Sequence, residues 1–296
     1  MCRAFCDFVN REIDEQFELM SQLLSSEKFG PSNSQVEKVT KQKGESMLSN
    51  EGWQTSQGSA HPGTSPVVET RPDPGRERRK GAPEIIFGET KETAQIIEMA
   101  QSLLASTGRA IISRLPPQSL VPLQEAFRAY AVSIREPSRS MVIYSPDYVR
   151  KSTGGHIGVI SAGTSDIPVA EEAAIIAEEM GCRVTCIYDV GVAGLHRLMR
   201  PLHDLISDDV DAIIVAAGMD GALPSVVAGL APVPVIGLPT SVGYGMGGKG
   251  VAALLSMLQT CAPGLSVVNI DNGVGAGITA ALIANRVAQA REHQSQ

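Results

Sequence analysis

The sequence predicts an α/β protein whose main unit is a doubly wound parallel sheet. Strand-like and helix-like segments alternate five times between residues 155 and 290, a rhythm typical of parallel strands joined by helices. The predicted strand interiors are short, apolar and β-branched, which indicates strands buried on both faces. Residues 154–285 also hold 20 of the 29 glycines and only two aromatic side chains, a composition that fits such a sheet.

Five strands, each followed by a helix, are predicted in the main unit, which spans residues 151–296. In a doubly wound sheet, ligands bind outside the carboxyl ends of the strands, so the residues after each strand are candidates for a site. The predicted strands are residues 156–160, 183–188, 212–216, 233–238 and 266–269. The predicted helices are residues 168–180, 194–206, 223–229, 249–258 and 276–286.

A small α/β domain is predicted before the main unit, over residues 73–150. This segment is too short to bury a large core of its own, so we expect it to pack on the main unit. Its strands are expected at residues 84–87, 110–113 and 141–144, and its helices at residues 90–104 and 118–127.

The N-terminal extension, residues 1–72, differs in composition from both domains. Apolar side chains recur at helical spacing over residues 4–26 and predict an amphipathic helix. Residues 27–80 are rich in Ser, Gly, Gln, Lys and Pro and predict a disordered linker. The basic run at residues 76–80 is interpreted either as a solvated patch or as a phosphate contact.

Charge and cysteine content exclude several classes of protein. The chain of 296 residues has a formal net charge of −7, which argues against nucleic-acid binding because that needs clustered Lys and Arg. No apolar run reaches about eighteen residues, so we expect no membrane span. Acidic residues interrupt the first segment, so we expect neither a secretory signal nor a mitochondrial presequence. Five cysteines do not suit a disulfide framework, and we therefore expect a cytoplasmic protein.

The loops after the first two strands carry residue types that suit a ligand. Backbone N–H groups of the first loop could hold a phosphate, although Asp166 is also interpreted as the N-cap of the next helix. In the second loop, His196 can exchange protons near neutral pH and Arg197 can bind a carboxylate or phosphate, although a lone histidine there is more often structural. The candidates in the first loop are Ser161, Gly163, Thr164, Ser165 and Asp166.

The loops after the third, fourth and fifth strands add glycines and polar groups, and glycines allow a ligand to approach the backbone closely. The fourth loop is not a Walker A loop, because Lys249 is followed by Gly250. No Gly-x-Gly-x-x-Gly follows the first strand, which weakens the prediction of a Rossmann dinucleotide-binding fold. The candidates in these loops are Gly218, Met219, Asp220, Gly221, Ala222, Ser241, Gly243, Tyr244, Gly245, Lys249, Asp271 and Asn272.

Three cysteines lie in the main unit. Cys261 follows the fourth predicted helix, and its thiol is interpreted either as a small buried apolar group or as a reactive group. Cys182 and Cys186 are expected in the core because parallel strands are buried.

The loops, in this order, resemble the PurE-like superfamily of aminoimidazole ribonucleotide carboxylases and mutases. That resemblance covers residues 155–265 and implies a three-layer, flavodoxin-like sheet. A longer set of strings is similar to one branch, the LarB family of nickel-pincer nucleotide biosynthesis, and with the segment from about residue 73 it covers roughly three quarters of the chain. These strings are SAGTSDIPVAEEA, YDVGVAGLHRL, AAGMDGALPSVVAGL, PVIGLPTSVGYG and SMLQTCAPGLSVVNIDNGVGAG.

The LarB resemblance implies a carboxylase and hydrolase acting on nicotinic acid adenine dinucleotide. CO2 or bicarbonate is added to carbon 5 of the pyridinium ring and the phosphoanhydride is cleaved, which gives pyridinium-3,5-biscarboxylic acid mononucleotide and AMP. Cys261 matches the family's cysteine that adds to the ring, so its thiol is expected beside the pocket framed by the loops. His196 and Asp166 are the preferred proton carriers. Asp220 is a third candidate.

The resemblance also implies cofactors and an assembly. Mg2+ or another divalent cation, with Asp271 or Asp220 as an oxygen ligand, would assist phosphoanhydride cleavage, and no flavin or haem is implied. PurE-like sheets usually assemble through their final helices, so the apolar residues 278–284 predict a homo-oligomer. Two alternatives stay open: a PurE-type carboxylase or mutase that would not need Cys261, and a nucleotide-binding module without catalysis.

Overall fold

The computed structural model describes Glu18 and residues 70–294, which form a small mixed sheet followed by a five-stranded parallel sheet. The predicted α/β class with a doubly wound parallel sheet is confirmed. Except for Glu18, the predicted helix over residues 4–26 lies outside the described residues. The same holds for the predicted linker as far as residue 69.

The small domain contains a four-stranded sheet in the order β1-β2-β4-β3, in which only β1 and β2 run parallel. Strand β3 was not predicted, because its side chains are mostly exposed and lack an apolar pattern. Helix α1 corrects the linker prediction, since Arg76 pairs with Glu84 and Arg79 with Asp73. The elements are α1 (Arg76–Lys80), β1 (Ile85–Phe87), α2 (Thr93–Thr107), β2 (Arg109–Ser113), α3 (Leu120–Ala126), β3 (Ala131–Arg135) and β4 (Ser140–Tyr144).

The main unit is a parallel sheet in the order β6-β5-β7-β8-β9. From β5 the chain continues to β6 on one side, and it then crosses to β7 on the other side of β5. The carboxyl ends of β5 and β7 are therefore the topological switch point. The elements are β5 (His156–Ser161), α4 (Ile167–Glu179), β6 (Arg183–Ile187), α5 (His196–Ser207), β7 (Ala212–Ala217), α6 (Leu223–Leu230), β8 (Val235–Pro239), α7 (Val251–Leu258), β9 (Leu265–Val267) and α8 (Gly273–Gln294).

Helices cover both faces of the parallel sheet. Helices α4 and α8 pack on one face, largely through alanines that allow close approach, and the small domain adds Ile111 and Val142 to the same core. Helices α5, α6 and α7 cover the other face. No helix among the described residues is long and apolar enough to cross a membrane.

The small domain is attached to α4 by arginine–carboxylate pairs. Buried Arg109 contacts Glu179, and Arg135 contacts Glu171 at 2.6 Å and Glu178 at 2.6 Å. Glu171 and Glu178 are seven residues apart, which places them two turns apart on one side of the helix. The small domain therefore fixes the helix that begins at the loop after β5.

The final helix does not offer the surface that the sequence predicted. Within residues 278–284, Ala280, Ala281 and Ala284 are buried against the rest of the chain, and Leu282 is the exposed apolar side chain. The homo-oligomer stays a prediction, but this stretch is already used for packing inside one copy.

Candidate active site

A cavity of about 680 Å³ lies at the carboxyl ends of β5 to β8, where the switch point predicts a ligand. Its volume is in the range of small-molecule sites. We call it the main cavity, and it gathers ten of the predicted residues, namely Gly163, Ser165, Asp166, Arg197, Gly218, Met219, Asp220, Ala222, Gly243 and Tyr244. The sequence analysis missed seven lining residues. Five lie in the same strand-end loops, while Ala217 ends β7 and Leu223 begins α6. The five loop residues are Ala162, Gly191, Val192, Ala193 and Val242.

Asp166 ties the first loop to the fourth. One carboxylate oxygen accepts a 2.9 Å hydrogen bond from the Gly163 backbone N–H, and the other accepts a 2.6 Å hydrogen bond from the Thr240 hydroxyl. Asp166 precedes α4, but its side chain makes no capping hydrogen bond to that helix. Asp166, which the sequence predicts as an N-cap, is therefore a buried side chain that links two loops in the cavity wall.

Gly218 brings the third and fourth loops together. Met219 N–H donates a 3.0 Å hydrogen bond to the Val242 carbonyl oxygen. A Cβ atom on Gly218 would collide with that oxygen and with the Thr240 hydroxyl, so only glycine fits between the loops.

The second loop contributes Arg197 rather than His196 to the cavity wall. The Arg197 guanidinium donates a 2.8 Å hydrogen bond to Asp189, and both side chains are about half exposed. His196, the first residue of α5, is exposed and does not line the main cavity. His196 therefore does not line the main cavity of a single copy, and its role as a proton carrier stays a prediction.

Several predicted site residues do not line the main cavity, and two of them instead accept hydrogen bonds from backbone N–H groups. Ser161 is buried and its hydroxyl accepts a hydrogen bond from the Asp189 N–H, while Asn272 accepts one from Gly275 N–H at the start of α8. These side chains hold the loops in place. Thr164, Gly221, Gly245 and Lys249 also lie outside the cavity lining.

A second cavity of about 280 Å³ adjoins the main cavity and shares Ser165 and Val242 with it. Arg114 and Arg139 of the small domain line it, and neither was predicted. Both have a positive φ, 51° and 50°, which non-glycine residues rarely adopt. The sequence could have pointed to Arg114 only because it follows a strand directly.

Arg114 connects the second cavity to α4. Its guanidinium contacts Glu172 at 3.1 Å and Glu89 at 3.5 Å, and donates to the Asp271 carbonyl oxygen. Burial alone would lower the pKa of Arg114, but the hydrogen bonds to Glu172 and Glu89 raise the pKa above its ordinary value. The group is therefore a permanent cation.

The Asp271 carboxylate also lines the second cavity, where it accepts a 2.8 Å hydrogen bond from the Ser241 N–H. Among residues 70–294, no three His, Cys, Asp or Glu side chains come together as metal ligands. This donor set does not fit a cation held by the protein alone. The metal role of Asp271 stays a prediction.

Cys261 lies at the opposite edge of the sheet from the main cavity. The Val235 N–H donates a 3.0 Å hydrogen bond to the Gly264 carbonyl oxygen, so the segment that contains Cys261 lies at the amino end of β8. Thr240 is five residues further along, a rise of about 16 Å. The thiol is exposed, and the expectation that it lies beside the pocket of its own chain is wrong.

The two other described cysteines differ from each other. Cys182 is buried, and burial raises the pKa of its thiol to about 11. Cys186 is exposed because β6 is an edge strand, which corrects the prediction that both thiols are in the core.

Comparison with known proteins gives two family matches, one for each domain. AIR carboxylase matches residues 156–296, and the LarB/PurE-like N-terminal domain matches residues 67–145. An uncharacterized protein of Methanocaldococcus jannaschii is 43% identical over 72% of this chain and 82% of its own length. The N5-carboxyaminoimidazole ribonucleotide mutase of that organism is 35% identical over 42% of this chain and 75% of its own length. The corresponding mutase of Thermotoga maritima is 32% identical over 43% of this chain and 73% of its own length.

Proposed function

The chain belongs to the LarB family within the PurE-like superfamily, and from this we propose that it acts on nicotinic acid adenine dinucleotide. In this proposal it carboxylates carbon 5 of the pyridinium ring and hydrolyses the phosphoanhydride, with CO2 or bicarbonate as co-substrate. The products are AMP and pyridinium-3,5-biscarboxylic acid mononucleotide, a precursor of the nickel-pincer nucleotide.

The pair of adjoining cavities is the observation that carries this proposal. A dinucleotide has two nucleotide halves, and the shared wall at Ser165 and Val242 would let one molecule occupy both cavities. The second cavity depends on Arg114 and Arg139 of the small domain, which the AIR carboxylase match does not include. The geometry thus favours a substrate longer than a mononucleotide.

The ring carboxylation requires a nucleophile because a pyridinium ring is electron-poor. A thiolate that bonds to ring carbon 4 gives a neutral dihydropyridine in which nitrogen donates electrons toward carbon 5. Carbon 5 then bonds to CO2, a base takes the proton from carbon 5, and the C–S electron pair returns to sulfur as the aromatic ring is restored. We assign the thiolate to Cys261, which would reach the ring from another copy of the predicted homo-oligomer, because it does not lie beside the main cavity of its own chain.

Two carboxylates in the main cavity can take the ring proton. Asp166 is buried in the wall and Asp220 is exposed at the rim, so the two differ in access to solvent. We propose Asp166 as the first candidate for the base and Asp220 as the second. His196 is a weaker candidate because it does not line the cavity.

The test incubates the full chain with nicotinic acid adenine dinucleotide and 13C-bicarbonate, with and without Mg2+. We expect AMP in the chromatogram and a labelled, doubly carboxylated mononucleotide in the mass spectrum. Dinucleotide binding by calorimetry without either product would identify a nucleotide-binding module and reject the enzyme.

A second candidate is a mutase or carboxylase acting on an aminoimidazole ribonucleotide. The two N5-carboxyaminoimidazole ribonucleotide mutases compared above are 35% and 32% identical to this chain over the aligned residues. That reaction does not need a thiol, so it predicts activity in Cys261→Ser. Assaying the aminoimidazole substrates with the wild type and Cys261→Ser separates the two candidates.

A further inference from the structure

We propose that Asp271 is a positioning residue, which holds Thr240 at the place where its hydroxyl reaches the Asp166 carboxylate. The consequence for turnover rests on the proposed function, in which Asp166 is the first candidate for the base. The contacts themselves lie in the loops after β8 and β9, and they can be tested without any turnover.

Asp271 contacts the backbone on both sides of Thr240. Its N–H donates a 2.8 Å hydrogen bond to the Pro239 carbonyl oxygen, and its carboxylate accepts a 2.8 Å hydrogen bond from the Ser241 N–H. Thr240 lies between these two contacts and is buried, and its hydroxyl donates a 2.6 Å hydrogen bond to Asp166. One residue of the loop after β9 therefore fixes the chain at the residue that orients Asp166.

The loop that follows Thr240 gives this position little restraint of its own. Strand β8 ends at Pro239, and the Thr240 N–H makes a last 3.1 Å hydrogen bond to the Ala217 carbonyl oxygen. Ser241 is exposed, and five glycines lie between residues 243 and 250. Because glycine restricts the backbone less than other residues do, the Asp271 carboxylate supplies the restraint that the loop lacks.

The small domain holds Asp271 in turn. The Arg114 guanidinium donates a hydrogen bond to the Asp271 carbonyl oxygen, and the same guanidinium contacts Glu172 of α4 at 3.1 Å. Asp271 has a φ of 56°, in the left-handed region that aspartate and asparagine adopt more readily than most residues. Its N–H, its carbonyl oxygen and its carboxylate are all hydrogen-bonded in this conformation, which directs the side chain toward Ser241.

Charge separates this role from the metal role that the sequence predicts for Asp271. A dinucleotide carries a negatively charged diphosphate, which a carboxylate repels, so direct contact with Asp271 would not favour binding. A divalent cation between the two would need the negative charge of the carboxylate. A positioning residue, in contrast, needs only an oxygen that accepts the Ser241 N–H.

Three substitutions separate the hydrogen bond from the charge. Asp271→Asn removes the charge but keeps an accepting oxygen, whereas Asp271→Gly has no acceptor and still tolerates the left-handed backbone without strain. Asp209→Gly is the matched control, because Asp209 has a φ of 54°, is exposed, and lines neither cavity.

Hydrogen exchange of the Ser241 amide tests the contact without turnover, with single residues resolved by fragmentation in the mass spectrometer. We expect slow exchange in the wild type, in Asp271→Asn and in Asp209→Gly. Exchange in Asp271→Gly should be at least about tenfold faster, as the loss of a hydrogen bond to a charged group predicts. The same Ser241 exchange rate in all four proteins would overturn the proposal.

Kinetics with nicotinic acid adenine dinucleotide, bicarbonate and Mg2+ test the consequence for catalysis. Asp271→Gly should lower kcat at least about tenfold, because Asp166 loses its fixed orientation, and should keep the calorimetric Kd for the dinucleotide close to the wild-type value. Asp271→Asn should recover most of that rate at the same Mg2+ requirement.

Two results would contradict this assignment in different ways. A slow Asp271→Asn that needs more Mg2+, with Ser241 exchange as in the wild type, would assign the carboxylate to a cation and overturn the proposal. An inactive wild type would instead reject the proposed function, and the Ser241 exchange rates would still decide whether Asp271 fixes the loop.

Discussion

The Thr240 hydroxyl donates a 2.6 Å hydrogen bond to the Asp166 carboxylate, and both side chains are buried. This contact joins the loop after β5 to the loop after β8 across the wall of the main cavity. The other Asp166 oxygen accepts the Gly163 N–H, so the carboxylate is held in one orientation. A rigid, buried acceptor of this kind makes the cavity shape depend on a single hydroxyl.

Replacing the Thr240 hydroxyl by a methyl group should destabilise the folded protein. Thr240→Val keeps the volume but leaves a buried carboxylate oxygen without its donor, which should lower the free energy of unfolding by about 1–3 kcal/mol. Thr240→Ser keeps the donor and is the matched control. Urea unfolding of both variants measures the difference, and equal losses would show that packing rather than the hydrogen bond matters at this position.

Gly218→Ala should weaken dinucleotide binding at least about tenfold, which corresponds to about 1.4 kcal/mol. The reason is that the new Cβ collides with the Val242 carbonyl oxygen and separates two loops of the cavity. Gly229→Ala in α6 is the control, because a Cβ there meets no atom. That variant should bind normally and gain up to about 1 kcal/mol of stability. Calorimetry measures the dinucleotide affinity of both variants, and equal affinities would contradict the assignment of the main cavity as the binding site.

Arg109→Met should lower the free energy of unfolding by about 3 kcal/mol, because it leaves the buried Glu179 carboxylate without its closest buried cation. Glu179 keeps the Tyr144 hydroxyl and Arg150 as partners, which limits the loss. Arg150 is half exposed, so Arg150→Met should cost less than about 1 kcal/mol. Denaturant unfolding of both variants tests the ranking, and the reverse order would show that the small domain is held by other contacts.

The sheet and the main cavity could be predicted because parallel strands place their carboxyl ends at one edge. Gly218 and Asp220 were found by this reasoning alone. The same reasoning fails for Cys261, which follows a helix rather than a strand and therefore returns to the opposite edge. Arg114 and Arg139 were missed because the second cavity exists only after two domains dock, and the docking of domains leaves no periodic pattern in the sequence.

Acid should destabilise the protein through His156, the first residue of β5. Burial lowers the pKa of His156, the nearby charge of Arg183 lowers it further, and Asp208 and Asp211 act in the opposite direction. The neutral ring accepts a 2.9 Å hydrogen bond from Arg183 and contacts the Thr185 hydroxyl at 2.9 Å. Because the folded pKa lies below the ordinary value of 6.5, the unfolded chain binds the proton first as the pH falls.

The stability that His156 contributes is therefore present above pH 6.5 and is lost as the pH falls from that value toward the lower folded pKa. Urea unfolding on both sides of this window should show a decline that is smaller in His156→Gln, which cannot titrate. Arg183→Met removes the neighbouring charge but leaves the burial, so its decline should lie between those of the wild type and His156→Gln. An identical pH dependence in all three proteins would assign the acid sensitivity to other groups.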